Sequence, residues 1–341
     1  MMGRVTKWIV FFLFLIMVVT GGAGVYLIEQ DGGFDRRTPI DESREIDFAD
    51  ASNIIVENNM ADFIITFADV DTATATLSGK GFDEEYSFVT EKRNNGYYIK
   101  LYHQSGGILF DYSQFRLQLV LPESYSGGMA VQNALGSMEI AGHSFSSLEI
   151  TASVGSVTLG DMGAENIRLN ASTGDIITGA LTGAKEISLQ SATGSITTGL
   201  LSAETVFIDS STGKVMVEGM ENAAATLRNE MGEVALYNLK NVDLSLRSAT
   251  GNIAVSYLEF QNNLSITVST GKIEVTLPAD AAFRLDAQGG NGITTDFTLS
   301  EVETEESGVL LGYVGAGESD ALVTLHSGTG KIRILAAANG E

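Results

Sequence analysis

The sequence predicts an all-β protein: a single-chain β-solenoid, β-helix-like, with an N-terminal β cap and one transmembrane helix ahead of it. Three observations carry this. Glycines recur at Gly136, Gly155, Gly174, Gly194, Gly213, Gly232, Gly251 and Gly271, so that rungs of 19–20 residues separate them. Apolar residues hold fixed columns around each glycine. An uncharged apolar run opens the chain.

The columns are counted from the glycine. Five residues before it stand Val131, Ile150, Leu169, Leu189, Ile208, Leu227, Leu246 and Ile266; two after it stand Met138, Val157, Ile176, Ile196, Val215, Val234, Ile253 and Ile273. Seven after it, the central rungs place Met162, Leu181, Leu201, Met220, Leu239 and Leu258. Apolar residues spaced by two within an arm mark a strand with one buried face. The repeat reads strand, glycine corner, strand, second corner. One rung buries about five large side chains worth ~1.5–3 kcal/mol each, while ordering costs at least ~1 kcal/mol for every residue. A lone rung cannot fold; stacked rungs, sharing ladders and a core, can.

Charges test the register independently. Glu165, Lys185 and Glu204 share one column, and Glu221, Lys240 and Glu259 share another, so stacking places each lysine between two carboxylates. Gly330 follows Gly271 after 59 residues, which reads as about three periods.

Ahead of the array, Arg4 and Lys7 precede Trp8–Ile28, a stretch without charge. Twenty-one helical residues span about 32 Å, enough for a bilayer core of about 30 Å. Cations before the span and Glu29 and Asp31 after it put the N-terminus in the cytoplasm and the rest outside. The rival reading is a signal peptide cleaved in the small-residue stretch Thr20–Gly24, giving a secreted product.

The expected organisation is a cytoplasmic stub and anchor at 1–28, a charged linker at 29–44, an N-terminal β cap with first rungs at 45–125, regular solenoid at 126–276, and C-terminal rungs at 277–341. Within the cap, Asn58–Phe67 reads as a degenerate rung with Ala61 at the glycine position, and Asn95-Gly96 as a hairpin turn. Ser300–Ser307 reads as an acidic insertion projecting from the last rungs.

Composition excludes several functions. A formal charge of −23 leaves no basic footprint for nucleic acid. With no cysteine there is no disulfide, zinc ribbon or thiol nucleophile. The T-G-K triplets at Gly213, Gly271 and Gly330 lack the spacing and helix of a phosphate loop. GGNGITTD at Gly289 approaches a calcium nonapeptide once only, so no metal or other cofactor is expected. His103, His143 and His326 are scattered, and Asp175, Glu218, Glu230 and Glu233 have no carboxylate in the same column of an adjacent rung. The threonines at 173, 193, 212, 250, 270 and 329 are expected to form a hydrogen-bonded ladder along the corner.

The site expected is a binding surface. Phe207 is apolar at an outward position, Arg228 and Arg247 hold the neighbouring outward column on the next two rungs, and Tyr237 and Tyr257 sit in second arms of successive rungs. Aromatic residues beside arginine are frequent contact anchors.

The N-terminal apolar segment, an opening strand region ending in Leu121-Pro122 and the repeated S-T-G-x-[IV]-x-[VT] rungs together resemble the bacterial "putative adhesin" family, also called toastrack domains, from about Asn53 to Ile334. The resemblance implies a β-solenoid at the cell envelope with roles in adhesion or envelope-stress sensing, and it carries over no catalytic residues. The expectation is therefore a non-enzymatic, single-pass membrane-anchored binding or sensing solenoid. Its partner would be a cell-envelope polymer or a surface or membrane protein, not nucleic acid. The alternative is a polysaccharide-acting β-helix enzyme.

Overall fold

The glycine column sets the register of two parallel ladders in the computed structural model, which describes residues 38–47, 52–59, 61–81, 86–94, 96–103, 115–306, 308–315 and 320–337. The expected membrane span at 8–28 lies outside these residues. No helix among the described residues is long and apolar enough to cross a membrane.

In the first arms, Ile150 pairs with Val131 on one side and Leu169 on the other. In the second arms, Val157 pairs with Met138 and Ile176. Between Leu181 and Thr212 the chain runs through the second corner with its ladder nearly unbroken. Inward columns fill one continuous core in which Ile150, Leu189, Ile196, Val234 and Ile266 are wholly buried.

The corner explains the glycine. At Gly232, φ is +142°, and an added Cβ would overlap the carbonyl oxygen of Gly213 on the rung below. Each corner amide donates onward: Gly194 N–H to Thr212 O at 2.9 Å, and Gly213 N–H to Met231 O at 3.0 Å. The next residue is secured by side chains, since Asp175 Oδ1 accepts the Ser195 N–H at 2.8 Å and Asp62 Oδ1 the Ser137 N–H at 3.0 Å. Behind the corner runs a buried polar column that sequence reasoning passed over. In it Asn133 and Asn229 donate Nδ2 to the carbonyls of Gly136 and Gly232 at 2.5 and 2.9 Å, and Ser191 Oγ donates to Gly194 O at 3.2 Å.

The threonines do stand in register, Thr173 against Thr193 and Thr193 against Thr212. They are exposed, and among the described residues no hydrogen bond joins their hydroxyls. The ladder belongs to the backbone.

Both ends depart from sequential stacking. Asn53–Asn58 and Ala61–Ala68 form a rung, with Ala61 beneath Gly136, but this rung is held between the Gly136 rung and a later one made of Gly96–His103 and Phe115–Pro122. At the other end Leu322–Ser327 and Ile332–Ala336 insert between the Gly271 rung and the strands Phe283–Gly289 and Ile293–Thr295. Gly330 therefore lies one axial step from Gly271, not three. Its 59-residue separation is spent on an outer rung and a hairpin that the last strands double back beneath.

Antiparallel strands close the ends, which protects the open ladder edges. Tyr86–Arg93 covers Gly96–His103, Ala73–Gly81 covers Phe115–Pro122, and Thr38–Ile46 covers Ala73–Gly81. This last strand takes in residues that composition assigned to the linker. The hairpin turn is shifted from its expected place: Gly96 opens the second strand opposite Arg93, Asn94 takes φ +51°, and Asn95 lies outside the described residues. Leu299–Glu306, expected to project, is instead a strand paired with Val309–Val314, which covers Phe283–Gly289.

A register shift corrects one column. Leu239 pairs with Tyr257 rather than Leu258. Tyr257 is 2% exposed and Leu258 49%. The Tyr257 hydroxyl donates to Val242 O at 3.3 Å, and its ring meets Phe260 edge-on at 5.0 Å. An aromatic body with one internal hydrogen bond fills the core position in place of leucine.

Candidate functional site

The outward face of the first-arm sheet carries both the predicted strip and a second cluster. Four residues before the corner glycine, the column reads Gln190, Asp209, Arg228, Arg247, Thr267 and His326 from rung to rung, each in register with the next. Arg228 and Arg247 thus stand directly against one another, ~4.8 Å apart along the axis, and both are exposed. Like charges in directly opposed positions destabilise a sheet. Asp209 precedes Arg228 in the column, yet neither guanidinium has an ion-pair partner within 4.0 Å among the described residues.

Phe207 lies two residues before Asp209, between Ser188 and Thr226, and is half-buried. One rung across and two residues along put its Cα about 8 Å from that of Arg228. The structure thus brings Phe207, Arg228 and Arg247 onto one face. It does not bring the tyrosines there. Tyr237 is 41% exposed on the other sheet, and Tyr257 is core, so the expected binding role of Tyr257 is withdrawn: an outward tyrosine would leave the position inside Leu239's partner rung unfilled.

Of the two charge columns, one closes through its side chains. Lys185 Nζ donates to Glu165, which lowers the Glu165 carboxyl below its ordinary value and raises Lys185; Glu204 adds a smaller upward effect on the lysine. Lys240 is the register partner of both Glu221 and Glu259.

Sequence reasoning missed a cluster at the N-terminal end of the same face. Lys100, Glu57 and Gln132 are successive register partners, followed by Thr151. Glu57 Oε2 receives both the Tyr102 hydroxyl and Lys100 Nζ, the latter at 3.1 Å. Tyr102 first, then Lys100, hold the Glu57 carboxyl below its ordinary range, while Glu57 raises both partners. The Lys100 ammonium also lies 5.4 Å from the Tyr98 ring centroid. The only sequence signal was Lys100 and Tyr102 sharing one face of YIKLYH; their contact with Glu57 depends on the out-of-order stacking of the first rungs.

Residues 180–333 match the family described as Toastrack DUF4097. Solved structures with a similar course include a "putative adhesin" from Parabacteroides distasonis, at 12% identity over 87% of this chain and 97% of that one, with a TM-score of 0.40. A "putative adhesin" from Bacteroides fragilis has 11% identity over 86% and 97%, with a TM-score of 0.40. A "putative lipid binding protein" from Parabacteroides distasonis has 14% identity over 86% and 96%, with a TM-score of 0.39. No function is carried across at these values. The comparison with curated proteins gave no match. The match begins at the rung before Gly194 and runs to Arg333, and over residues 180–333 this chain is similar to the Toastrack family.

Proposed function

We propose that this chain is a non-enzymatic binding solenoid, anchored in the cytoplasmic membrane by Trp8–Ile28 and displayed outside it, whose strip of Phe207, Arg228 and Arg247 holds an anionic envelope polymer. The carrying observation is the stacked arginine pair with no carboxylate within ion-pair distance among the described residues. Two guanidinium groups opposed in a ladder repel one another, and an anion laid along the column relieves that repulsion. The surrounding acidity repels anions elsewhere and confines them to the strip. Against the polysaccharide-cleaving alternative, no two carboxylate residues are register partners among the described residues, whereas glycoside hydrolysis needs a facing pair.

The double variant Arg228→Ala, Arg247→Ala tests the strip. Its melting temperature should stay at or slightly above the wild-type value, since like-charge contact is removed. Retention on isolated anionic cell-wall polymer should fall, along with its sensitivity to salt. Unaltered capture by the folded variant overturns the strip. The anchor is tested separately: protease added to intact protoplasts should remove residues 29–341, and full protection overturns the orientation.

A further inference from the structure

We infer that the groove at the N-terminal end of the first-arm face is a second binding site, for a neutral, hydroxyl-rich saccharide unit. The groove encloses about 330 Å³ and is lined by Glu57, Tyr102, Gln132, Ala134, Thr151 and Ser153 among others. It lies on the same column as the arginine strip but five rungs from it, counted from Gln132 to Arg228 through Thr151, Asn170, Gln190 and Asp209. Its chemistry is different.

The pinned carboxylate is the first argument. Tyr102 and Lys100 both bind Glu57 Oε2, which fixes the plane of the carboxylate and leaves Oε1 without a partner among the described residues. An acceptor held in one orientation loses little freedom when a hydroxyl docks on it, and a hydrogen bond to a charged acceptor is stronger than a neutral one. Glu57 remains ionised through neutral pH, because Tyr102 and Lys100 stabilise its charged form.

The second argument is the absence of net charge. Lys100 at 3.1 Å balances Glu57, and every other side chain named in the lining is neutral. Neither a polyanion nor a polycation has a net attraction there. What remains are bidirectional partners. The Gln132 amide offers donors and an acceptor, and the Thr151 and Ser153 hydroxyls offer both roles. All three are exposed and free of hydrogen bonds to protein among the described residues. Gln132 and Thr151 are register partners on adjacent rungs, ~4.8 Å apart, and Ser153 stands two residues along the Thr151 strand, so the three offer hydroxyl partners in two directions across a sugar ring.

Shape supplies the third argument. The lining includes the small side chain of Ala134 and the Tyr102 ring, whose polar tip is already tied to Glu57. A few fixed polar groups around an aromatic surface suit a ligand with an apolar ring face and a hydroxylated edge.

The test uses the full chain, kept in solution by a detergent without a sugar headgroup, titrated with three probes: a β-1,4-linked N-acetylglucosamine trimer, cellotriose and inorganic phosphate. Saturable binding of at least one trisaccharide and none of phosphate is expected. The exposed double variant Gln132→Ala, Thr151→Ala should weaken it tenfold or more with an unchanged melting temperature, while Arg228→Ala, Arg247→Ala should leave it intact. No saturable binding of either trisaccharide overturns the inference. So does binding that survives the Gln132 and Thr151 changes, or a phosphate response that those changes abolish. Because the arginine variant is read in parallel, failure of the groove and failure of the strip are distinguishable.

Discussion

Replacing Gly232 by alanine separates the two reasons a corner needs glycine. At Gly232, φ is +142°, and a Cβ would overlap the Gly213 carbonyl oxygen, a backbone atom locked in the ladder. At Gly183, beside the bulge between Leu181 and Ala184, φ is +70° but nothing lies within 4 Å of a built Cβ. Gly183→Ala should therefore cost only the conformational part, ~1–2 kcal/mol for an L-residue held in the left-handed region. Gly232→Ala carries a similar part plus the displacement of one rung against the next, ~1–3 kcal/mol or more in a close-packed interior. Its total is ~2–5 kcal/mol. The entropy lost by the unfolded chain on gaining a methyl group is the same for both and cancels in the comparison. Urea denaturation followed by far-UV circular dichroism reads the difference from the midpoints, with the slopes compared to exclude a change in cooperativity. Equal losses would refute the argument that rung approach, rather than backbone conformation, selects glycine at the corner.

Three further predictions follow from particular positions. Ile196→Asp should bury an unpaired carboxylate between rungs and cost several kcal/mol, whereas Thr197→Asp, one residue away on the outward side, should stay within ~0.5 kcal/mol; matching thermal melts of the two would show the facing to be misassigned. Tyr257→Ala should cost ~3–5 kcal/mol and Leu258→Ala under ~1 kcal/mol, and the reverse order would restore the unshifted register. Glu57 has a folded pKa below its ordinary 4.5, so its contribution is present above that value and lost as pH falls through the folded pKa. The stability gap between wild type and Glu57→Gln should accordingly be full at pH 7 and close only as pH falls below 4.5 and through the lowered folded pKa. A gap that does not change with pH would show that Glu57 is not held by Tyr102 and Lys100.

Much of this molecule is local in sequence, and that part was legible. The period of 19–20 residues, the inward columns and the lysine of each charge column follow from neighbours one rung apart, because each middle rung pairs only with the one before and the one after. The arginine strip was legible for the same reason: Arg228 and Arg247 lie 19 residues apart, one period, so counting alone sets them side by side. What required tertiary structure was every place where that rule lapses. At the two ends the stacking order is not the chain order, so Gly330 rests on Gly271 and Lys100 reaches Glu57, pairings no period encodes. In the middle, one residue fewer after Gly251 puts Tyr257 in the core position where spacing placed Leu258, with its ring packed edge-on against Phe260. Sequence determines a solenoid where contacts are nearest-neighbour; at the caps and bulges, side-chain volume and the need to cover an open edge decide between arrangements that the local pattern leaves equivalent.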